Sequence, residues 1–441
     1  MINFIIKLVQ IILLLIIILL AINYSFVVSI EIQDFIYSIP STYFLIGFLI
    51  FFFIIFLLQS LYFKLKFNLS KYRVNKVNKD KQKGYDSFLN GMIALANKDY
   101  KKAILESKKT ANYLKDNPSL SLLLKSEIYK IEKKYDQLNQ VYEDMSKNLN
   151  TENLAYRGLM QQYLKAQDYH HAFIYGEKLF NKNPFVEKIY DTLVNIVAKT
   201  NNWQQLLNIT NKAYSKKIID KGIFQENKSI ALFEIAKVKQ YSEVNESINY
   251  IQKALALRKN FPPYIKLYLE ILIYNKDLNY AKKFLKRVWN DKPHEEYKSV
   301  IINLAHHLNK DVLELTKDIV GNKQTEESKI LLVESSIASK KWDEARNQIR
   351  DLLDTQPKKE VCLLMAKIEK GDANDVQKVN SWMLRSKNGA NKNVWICMIS
   401  KKIQNEWTSL SEGGYFNSLE WKQPIMLNEQ NLNHEDLLYE N

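Results

Sequence analysis

The chain has 441 residues, a formal net charge of +15, 11 Gly, 8 Pro and 2 Cys. Gly and Pro lie far below their average usage of about 7% and about 5%, which disfavours a sheet-rich fold and favours helices joined by short polar loops. The two cysteines, Cys362 and Cys397, are too few and too far apart in sequence for a disulfide framework.

Two apolar segments predict a transmembrane hairpin in residues 1–62. The segments, about 4–22 and 43–62, are each near the roughly 20 residues that cross a bilayer. The connection between them contains Glu31 and Asp34 and no Lys or Arg. Since Lys and Arg mark the cytoplasmic side, we expect both ends of the hairpin in the cytoplasm. A cleaved signal peptide is the alternative for the first segment, and the second span would still leave the rest of the chain cytoplasmic.

A basic juxtamembrane segment, residues 63–84, follows the second span. It carries +7 of the +15 net charge, from eight basic residues and one acid. A nucleic-acid-binding protein is expected to interleave such a patch with aromatic residues on one face. Here the position next to a span favours membrane topology and attraction to anionic lipid, and we predict no nucleic-acid partner. The predicted membrane-surface residues are Lys64, Lys66, Lys71, Arg73, Lys76, Lys79, Lys81 and Lys83.

A recurring phrase in residues 85–390 predicts helical hairpins. A polar residue is followed by an aromatic residue or Leu, and three positions further by Ala or Leu. The polar–aromatic pair forms the turn between helix A and helix B, and the small residue lets the helices cross closely. A proline twelve positions later ends helix B in three copies. These marks resemble the tetratricopeptide repeat of about 34 residues. The copies begin at Asp99, Asp168, Asn202, Asp277 and Lys341, and the prolines are Pro184, Pro293 and Pro357.

About eight such hairpins fit between Gly84 and Arg385. The resemblance to tetratricopeptide proteins implies a solenoid in which each unit contacts its neighbours and helix A lines a groove for proteins or peptides. For each predicted groove residue, an ordinary solvated helix face is the alternative. The repeat register gives the candidate partner-binding groove as Arg157, Gln161, Asp191, Asn195, Lys266, Glu270 and Glu334.

A search for catalytic chemistry finds no Gly-x-Gly-x-x-Gly and no His-Glu-x-x-His motif. His170-His171 and His306-His307 are adjacent pairs whose side chains point about 100° apart on a helix, so neither pair chelates a metal jointly. Cys362 lies in an apolar stretch that is typical of a buried core thiol. We therefore predict no catalytic, cofactor-binding or metal-binding residues, and no enzyme activity.

The segment 391–426 differs from the array because it is rich in Trp and Gly. It resembles a small zinc knuckle, but only Cys397 stands at a cysteine position, with Ser400, Ser411 and Gly414 at the others. One thiolate does not make a structural zinc site, which needs about four ligands. We predict a metal-free, aromatic-packed cap on the solenoid, followed by a disordered acidic tail in 427–441.

The order of these parts resembles the HemY family of proteobacterial inner-membrane proteins. The resemblance rests on two N-terminal spans, a basic flank, and a first repeat near Phe88-Leu-Asn-Gly-Met-Ile-Ala. It also rests on a tail with Gly371-Asp372, Trp382, Trp395-Ile-Cys397, Phe416 and Trp421. The family is associated with late steps of protohaem synthesis. The resemblance therefore implies a multi-pass inner-membrane protein with a cytoplasmic repeat domain and late haem-pathway enzymes as partners.

The sequence thus predicts an all-α fold, with a transmembrane hairpin, a tetratricopeptide-type α-solenoid and a small cap. The predicted function is a membrane-anchored scaffold without cofactors. An adaptor for envelope or lipopolysaccharide assembly is the alternative. The membrane-tethered tetratricopeptide proteins that control lipopolysaccharide have one span and a complete four-cysteine knuckle, and this chain departs from both features. Porphyrin binding by the array is a third hypothesis, and no motif supports it. A flavin-dependent oxidase is excluded by the missing glycine-rich fingerprint.

Overall fold

The computed structural model describes residues 2–23, 27–32, 35–353, 356–373 and 375–424. The predicted acidic tail lies outside these residues. The structure divides into two compact units, Met1–Lys134 and Tyr135–Asn441. Elements of the first unit are α1 (Ile2–Asn23), β1 (Val27–Ile32), β2 (Phe35–Pro40), α2 (Ser41–Ala96), α3 (Tyr100–Tyr113) and α4 (Ser119–Ile131).

The apolar helices α1 and α2 contact each other through a pair of glutamines. Gln10 Nε2 donates to Gln59 Oε1 at 2.8 Å. Gln10 lies in the first half of α1 and Gln59 lies near the end of the apolar run of α2, as expected for two antiparallel helices. Within the described residues, one helix segment, Ile46–Ala96, is long and apolar enough to cross a membrane, and Leu8–Leu19 is a shorter apolar helix. The two-span hairpin therefore stays a prediction.

Helix α2 continues without a break from the apolar run through the basic segment into the first repeat. Its 56 residues correspond to about 84 Å at 1.5 Å per residue. Its last turns pack against α3 and α4 around Ala94, Ala103 and Leu124. Gly91 permits this approach, because a Cβ there would lie 2.3 Å from Leu124 Cδ2.

The second unit is mainly a series of paired helices. Its helices are α5 (Tyr135–Ser146), α6 (Glu152–Lys165), α7 (Tyr169–Lys182), α8 (Ile189–Lys199), α9 (Trp203–Ser215), α10 (Lys221–Lys239), α11 (Val244–Leu257), α12 (Pro262–Tyr274), α13 (Leu278–Asp291), α14 (Lys298–His307), α15 (Val312–Val320), α16 (Glu326–Ala338), α17 (Trp342–Ile349), α18 (Lys359–Asp372) and α19 (Val376–Ser386). Two 3-10 helices are Glu295–Tyr297 and Arg350–Leu352, and the strands are β3 (Val394–Cys397), β4 (Ile403–Gln404) and β5 (Leu419–Lys422). From α6 onward each even-numbered helix packs with the next as helix A and helix B.

The turns between helix A and helix B form as the recurring phrase predicts. Asp168 caps α7 by accepting from His171 N at 3.1 Å, and Asn202 caps α9 by accepting from Gln205 N at 3.3 Å. The small residue of the phrase is fully buried, as Ala172 shows with 0% exposure. Helix α7 ends at Lys182, two residues before the predicted proline. These features make the second unit a tetratricopeptide-like array.

One feature of these turns is absent from the sequence prediction. The residue before the cap has left-handed backbone geometry, with φ of 58° at Gln167, 52° at Asn201 and 64° at Lys276. Gly adopts this conformation without the steric cost that other residues carry. This glycine-poor chain uses polar residues there instead. Their fixed place before the polar cap residue is the sequence signal that identifies them.

The expectation of an all-α fold is wrong for two short regions. The connection between α1 and α2 contains the antiparallel pair β1–β2, with Val27 opposite Pro40 and Ile32 opposite Phe35. Near the C-terminus, β4, β3 and β5 form a three-stranded antiparallel sheet. The physical reason is local, because both regions are rich in the β-branched and aromatic residues that favour strands.

Candidate partner-binding groove

The residues 391–424, which we call the β-module, form a compact unit around β3. In its sheet Trp395 lies opposite Trp421, and Cys397 lies opposite Leu419. A bridge between Leu410 and Phe416 closes the loop before β5. The module is therefore an ordered β-structure at the position where the sequence predicts an aromatic-packed cap.

Hydrogen bonds surround the single thiol of the β-module. Cys397 Sγ lies 3.3 Å from Ser418 Oγ and 3.6 Å from Ser411 Oγ, and it accepts from Ser400 N at 3.4 Å. Burial acts to raise the pKa of Cys397, but its hydrogen bonds with Ser400, Ser418 and Ser411 outweigh burial and lower the pKa to about 6. One knuckle position, Ser411, thus meets the thiol with its hydroxyl, and another, Ser400, meets it with its backbone N–H. Among the residues described, no cluster of three His, Cys, Asp or Glu side chains is arranged to hold a metal.

Aromatic side chains attach the β-module to A helices in the middle of the array. Trp407 is 5% exposed, and its ring lies edge-on to Phe233 of α10, to Phe261 and to Tyr264 of α12, with centroids 5.4, 5.1 and 5.8 Å away. The predicted cap on the solenoid stays a prediction. The tryptophan enters the core that runs from α10 to α16, so the module packs against the middle of the array.

Polar contacts align the β-module along the same helices. Trp395 Nε1 donates to Glu296 Oε1 at 2.7 Å. Glu406 pairs with Lys266 of α12 at 2.8 Å. The module thus contacts residues up to 140 positions away in sequence.

A second set of contacts ties the start of the β-module to α18. Lys392 pairs with Glu295 and, at 3.6 Å, with Glu360 of α18. Lys359 N donates to the carbonyl of Ala390 at 3.1 Å. Together with the contacts at α10 and α12, these bonds attach the module to several A helices along the array.

The predicted groove residues fall into three groups. Lys266 and Glu270 face the β-module, so their assignment to an open groove is wrong, because a segment of the same chain covers them. Glu334 of α16 is half-buried and pairs with Lys298 of α14. The remaining four lie exposed on α6 and α8, and their role stays a prediction: Arg157, Gln161, Asp191 and Asn195.

An open trough remains beside the β-module. Two cavities of about 290 and about 420 Å³ share Glu334, Leu364 and Lys367 and therefore adjoin. The A helices α14, α16 and α18 form one wall, and Val394 and Ile403 of the β-module form the other. We call this cleft the open trough. Its walls are largely apolar, and its rim carries both lysines and glutamates.

Carboxyl groups at the border between the β-module and the array are partly desolvated. Burial raises the pKa of Glu234, which hydrogen-bonds to Ser409. Burial likewise raises the pKa of Glu270, Glu296 and Glu360, despite the opposing charges of Lys266 and Lys392. Burial disfavours a charged carboxylate, so these groups oppose the docked state at neutral pH.

Replacing Glu270 by Gln is expected to stabilise the protein at neutral pH. The folded-state pKa of Glu270 is raised, so its contribution to stability is greatest below the unfolded pKa of about 4.5 and is lost as pH rises through the folded pKa. The charges facing it are Lys266, Glu406, Glu296 and Lys237.

Denaturant unfolding from neutral pH down to about pH 4.5 measures this effect. The free energy of unfolding of the Glu270→Gln variant should be higher than that of the native protein at neutral pH. The two values should converge as the pH falls to about 4.5. The exposed Glu412→Gln serves as the control. A constant difference between Glu270→Gln and native protein across the pH range would contradict the account.

The basic cluster lies on α2, with all eight side chains exposed. Lys64 and Lys83 are 19 positions apart, which is about 29 Å along a helix. Charges are screened over about 8–10 Å at physiological ionic strength. Lys64 and Lys66 follow the apolar run within its next turn. Attraction of all eight basic residues to anionic lipid remains a prediction.

Comparison with known families gives a match in the first unit. Residues 27–130 match the family model described as "HemY protein N-terminus". This confirms the resemblance to the HemY family over a stretch that contains β1, β2, α2, α3 and nearly all of α4. The array from α5 onward lies outside the HemY match. No curated protein matches the chain.

Several solved structures are similar at low identity. A structure of Naa15/Naa10 bound to HypK-THB has 11% identity and a TM-score of 0.39, covering 71% of this chain and 54% of that chain. The TPR2AB domain of yeast Sti1 in complex with pHSP90 has 10% identity and a TM-score of 0.29, and the match covers 71% of this chain and 99% of that chain. A tetratricopeptide repeat protein from Parabacteroides merdae has 11% identity and a TM-score of 0.26, covering 56% and 100%. The assignment of a tetratricopeptide-like array rests on the turns and buried small residues described above.

Proposed function

We propose that the protein is a membrane-anchored scaffold that holds partner proteins along its helical array and catalyses no reaction itself. The observation that carries this proposal is the open trough. Its apolar walls include Leu331, Leu364 and Ile403, and a cleft of this kind suits an extended segment of another protein. The resemblance to the HemY family supports late haem-pathway enzymes as the partners.

Cross-linking from the trough tests the proposal. A photoreactive amino acid at Ile302, which lines the trough and is 48% exposed, should capture a haem-pathway enzyme in cells. The matched position is Tyr241, which is 66% exposed and does not line either cavity. Ile302→Arg should reduce recovery of the same partner by about tenfold, and Tyr241→Arg should leave it unchanged. Equal capture from both positions would count against the trough.

In the proposed topology, two spans cross the inner membrane and the helical array lies in the cytoplasm. The glutamine pair between α1 and α2 supports the hairpin, because polar groups in apolar spans are stabilised by hydrogen bonds across helices. The basic residues after the second apolar run support the orientation. In this arrangement β1 and β2 lie on the outer side of the inner membrane.

Cysteine labelling tests this orientation. The native Cys362 and Cys397 are 0% and 1% exposed, so they give little background. A membrane-impermeant thiol reagent should label Ser38→Cys, in β2, on intact spheroplasts. Lys101→Cys, in α3, should react only after the membrane is permeabilised. Labelling of Lys101→Cys on intact spheroplasts would overturn the orientation.

A further inference from the structure

The described part of the chain ends inside the open trough. Pro424, the last described residue, is half-buried and lines the larger cavity together with Leu363 and Ile403. Residues 425–441, which we call the acidic extension, follow it directly. The acidic extension therefore starts at the wall of the trough, with no linker between them.

Two lysines on the wall of the trough have no ion pair within the described residues. The glutamates of the trough, Glu334 and Glu360, already pair with other lysines. Lys359 and Lys367 are exposed on α18 and carry no such pair. Leu363 lies between them at intervals of four residues, so all three side chains lie on one side of the helix. An occupant that suits this wall is both acidic and apolar.

The acidic extension has this chemistry. Ile425, Met426 and Leu427 come directly after Pro424, and no Lys or Arg follows them. A segment of this composition buries too little apolar surface to fold by itself, and it becomes ordered when another surface covers its apolar residues. Its four acids are Glu429, Glu435, Asp436 and Glu440.

The acidic extension is long enough to follow the trough to its far end. The trough runs across α18, α16 and α14. Packed helices lie about 8–10 Å apart, so two such steps correspond to about 20 Å. The 17 residues of the extension reach up to about 56 Å when fully extended. Its first acid, Glu429, is five residues from Pro424 and thus within reach of the lysines on α18.

We propose that the acidic extension occupies the open trough of its own chain in an extended conformation, with its carboxylates paired to Lys359 and Lys367. This inference rests on the proposed function, because it makes the extension a competitor for the site that we assign to partner proteins. A tethered segment acts at an effective concentration of about millimolar. A partner protein therefore binds the trough only by displacing the extension.

Photo-cross-linking in the purified full-length protein tests the occupant. A photoreactive amino acid at Ile302, which lines the cavity that Pro424 does not line, should be joined to residues 425–441. Trypsin releases these residues in one peptide, since no Lys or Arg follows Lys422, and mass spectrometry identifies the link. The same amino acid at Tyr241 should not be joined to this peptide. Absence of the link from Ile302 would overturn the proposal.

Isotope mixing distinguishes the extension of the same chain from that of a second copy. When light and heavy proteins are mixed before irradiation, the links from Ile302 should join light to light and heavy to heavy. Mixed links in the random proportion would show that a second copy fills the trough. That result would overturn the proposal.

A charge exchange tests the predicted ion pairs. Lys359→Glu with Lys367→Glu should lower the yield of the link from Ile302 about tenfold, because like charges then face each other. Adding Glu429→Lys and Glu435→Lys to this variant should restore most of the yield. A double variant that does not recover would contradict the ion pairs and overturn the proposal.

The matched control changes two exposed lysines that do not line the trough. Lys370→Glu with Lys387→Glu makes the same change in net charge and should alter the yield by less than about twofold. Equal loss of the link in both lysine variants would show a general effect of charge and would overturn the proposal.

Cross-linking in cells separates this inference from the proposed function. Glu429→Lys with Glu435→Lys should release the extension and raise the yield of partner captured from Ile302 at least about threefold. Capture of a partner without any link to the extension in purified protein would overturn the inference and leave the proposed function standing. A link to the extension without partner capture in any variant would support the occupant and count against the proposed function.

Discussion

Replacing Trp407 by Ala is expected to lower the free energy of unfolding by about 3–5 kcal/mol and to detach the β-module from the array. Trp407 is 5% exposed and contacts Phe233, Phe261 and Tyr264, so its removal leaves a cavity between the module and the A helices. The ion pairs Lys266–Glu406 and Lys392–Glu295 do not compensate, because each has an exposed carboxylate and such pairs contribute about 0–1 kcal/mol each.

Limited proteolysis measures the detachment directly. In the native protein the β-module should resist cleavage, and in Trp407→Ala it should be cut before the helices unfold. Tyr241→Ala is the control, since Tyr241 is 66% exposed and removal of its ring should lower the free energy of unfolding far less. If Trp407→Ala keeps native protease resistance and native stability, the β-module is not held by this tryptophan.

Replacing Trp289 by Ala is expected to have an effect of similar size, about 3–5 kcal/mol, with a different signature. Trp289 is 1% exposed, and its Nε1 donates to Ser328 Oγ of α16 at 3.0 Å. It therefore couples α13 to the next pairs of helices. In repeat proteins such nearest-neighbour coupling keeps unfolding cooperative.

We expect the helical array of Trp289→Ala to unfold in two transitions as denaturant rises. The array of the native protein should unfold in one. Trp289→Phe keeps most of the apolar volume and should stay cooperative with a smaller loss of stability. Circular dichroism and tryptophan fluorescence should report the two steps at different denaturant concentrations. Coincident transitions in Trp289→Ala would contradict this role.

The parts of the fold that follow from local chemistry are predictable from the sequence. The turn phrase at Asp168 and Ala172 contains a cap and a close crossing, and both form as expected. The left-handed residue before each cap is missed because Gln167 and Lys276 replace the glycine that usually marks such a backbone. The three C-terminal tryptophans stand out in the sequence, although their partners do not.

Long-range docking is the part that sequence pattern does not reveal. Trp395 and Glu296 are 99 positions apart, and Lys266 and Glu406 are 140 positions apart. No local periodicity encodes such contacts. The register correctly identified Lys266 and Glu270 as helix A residues, and their face is nevertheless occupied by the β-module. A groove predicted by repeat register is therefore open only where no other part of the chain fills it.

The covered middle of the array limits which surfaces a partner of the proposed scaffold can contact. Two surfaces remain available to a partner segment. They are the exposed surface of α6 and α8 and the open trough beside the β-module. Since Val394 and Ile403 line the trough, the module is part of the proposed binding site as well as an occupant of the predicted groove. Detaching the module should therefore reduce the yield of partner that is cross-linked from position Ile302.

Zero-length carbodiimide cross-linking of the native protein tests the position of the β-module most directly. Lys266 Nζ and Glu406 Oε1 are 2.8 Å apart, so the reagent should join them by an amide that mass spectrometry identifies. Mixing isotopically light and heavy protein should show that the bond forms within one chain. The contradictory result is solvent modification of Lys266 and Glu406 in the folded protein without a cross-link between them.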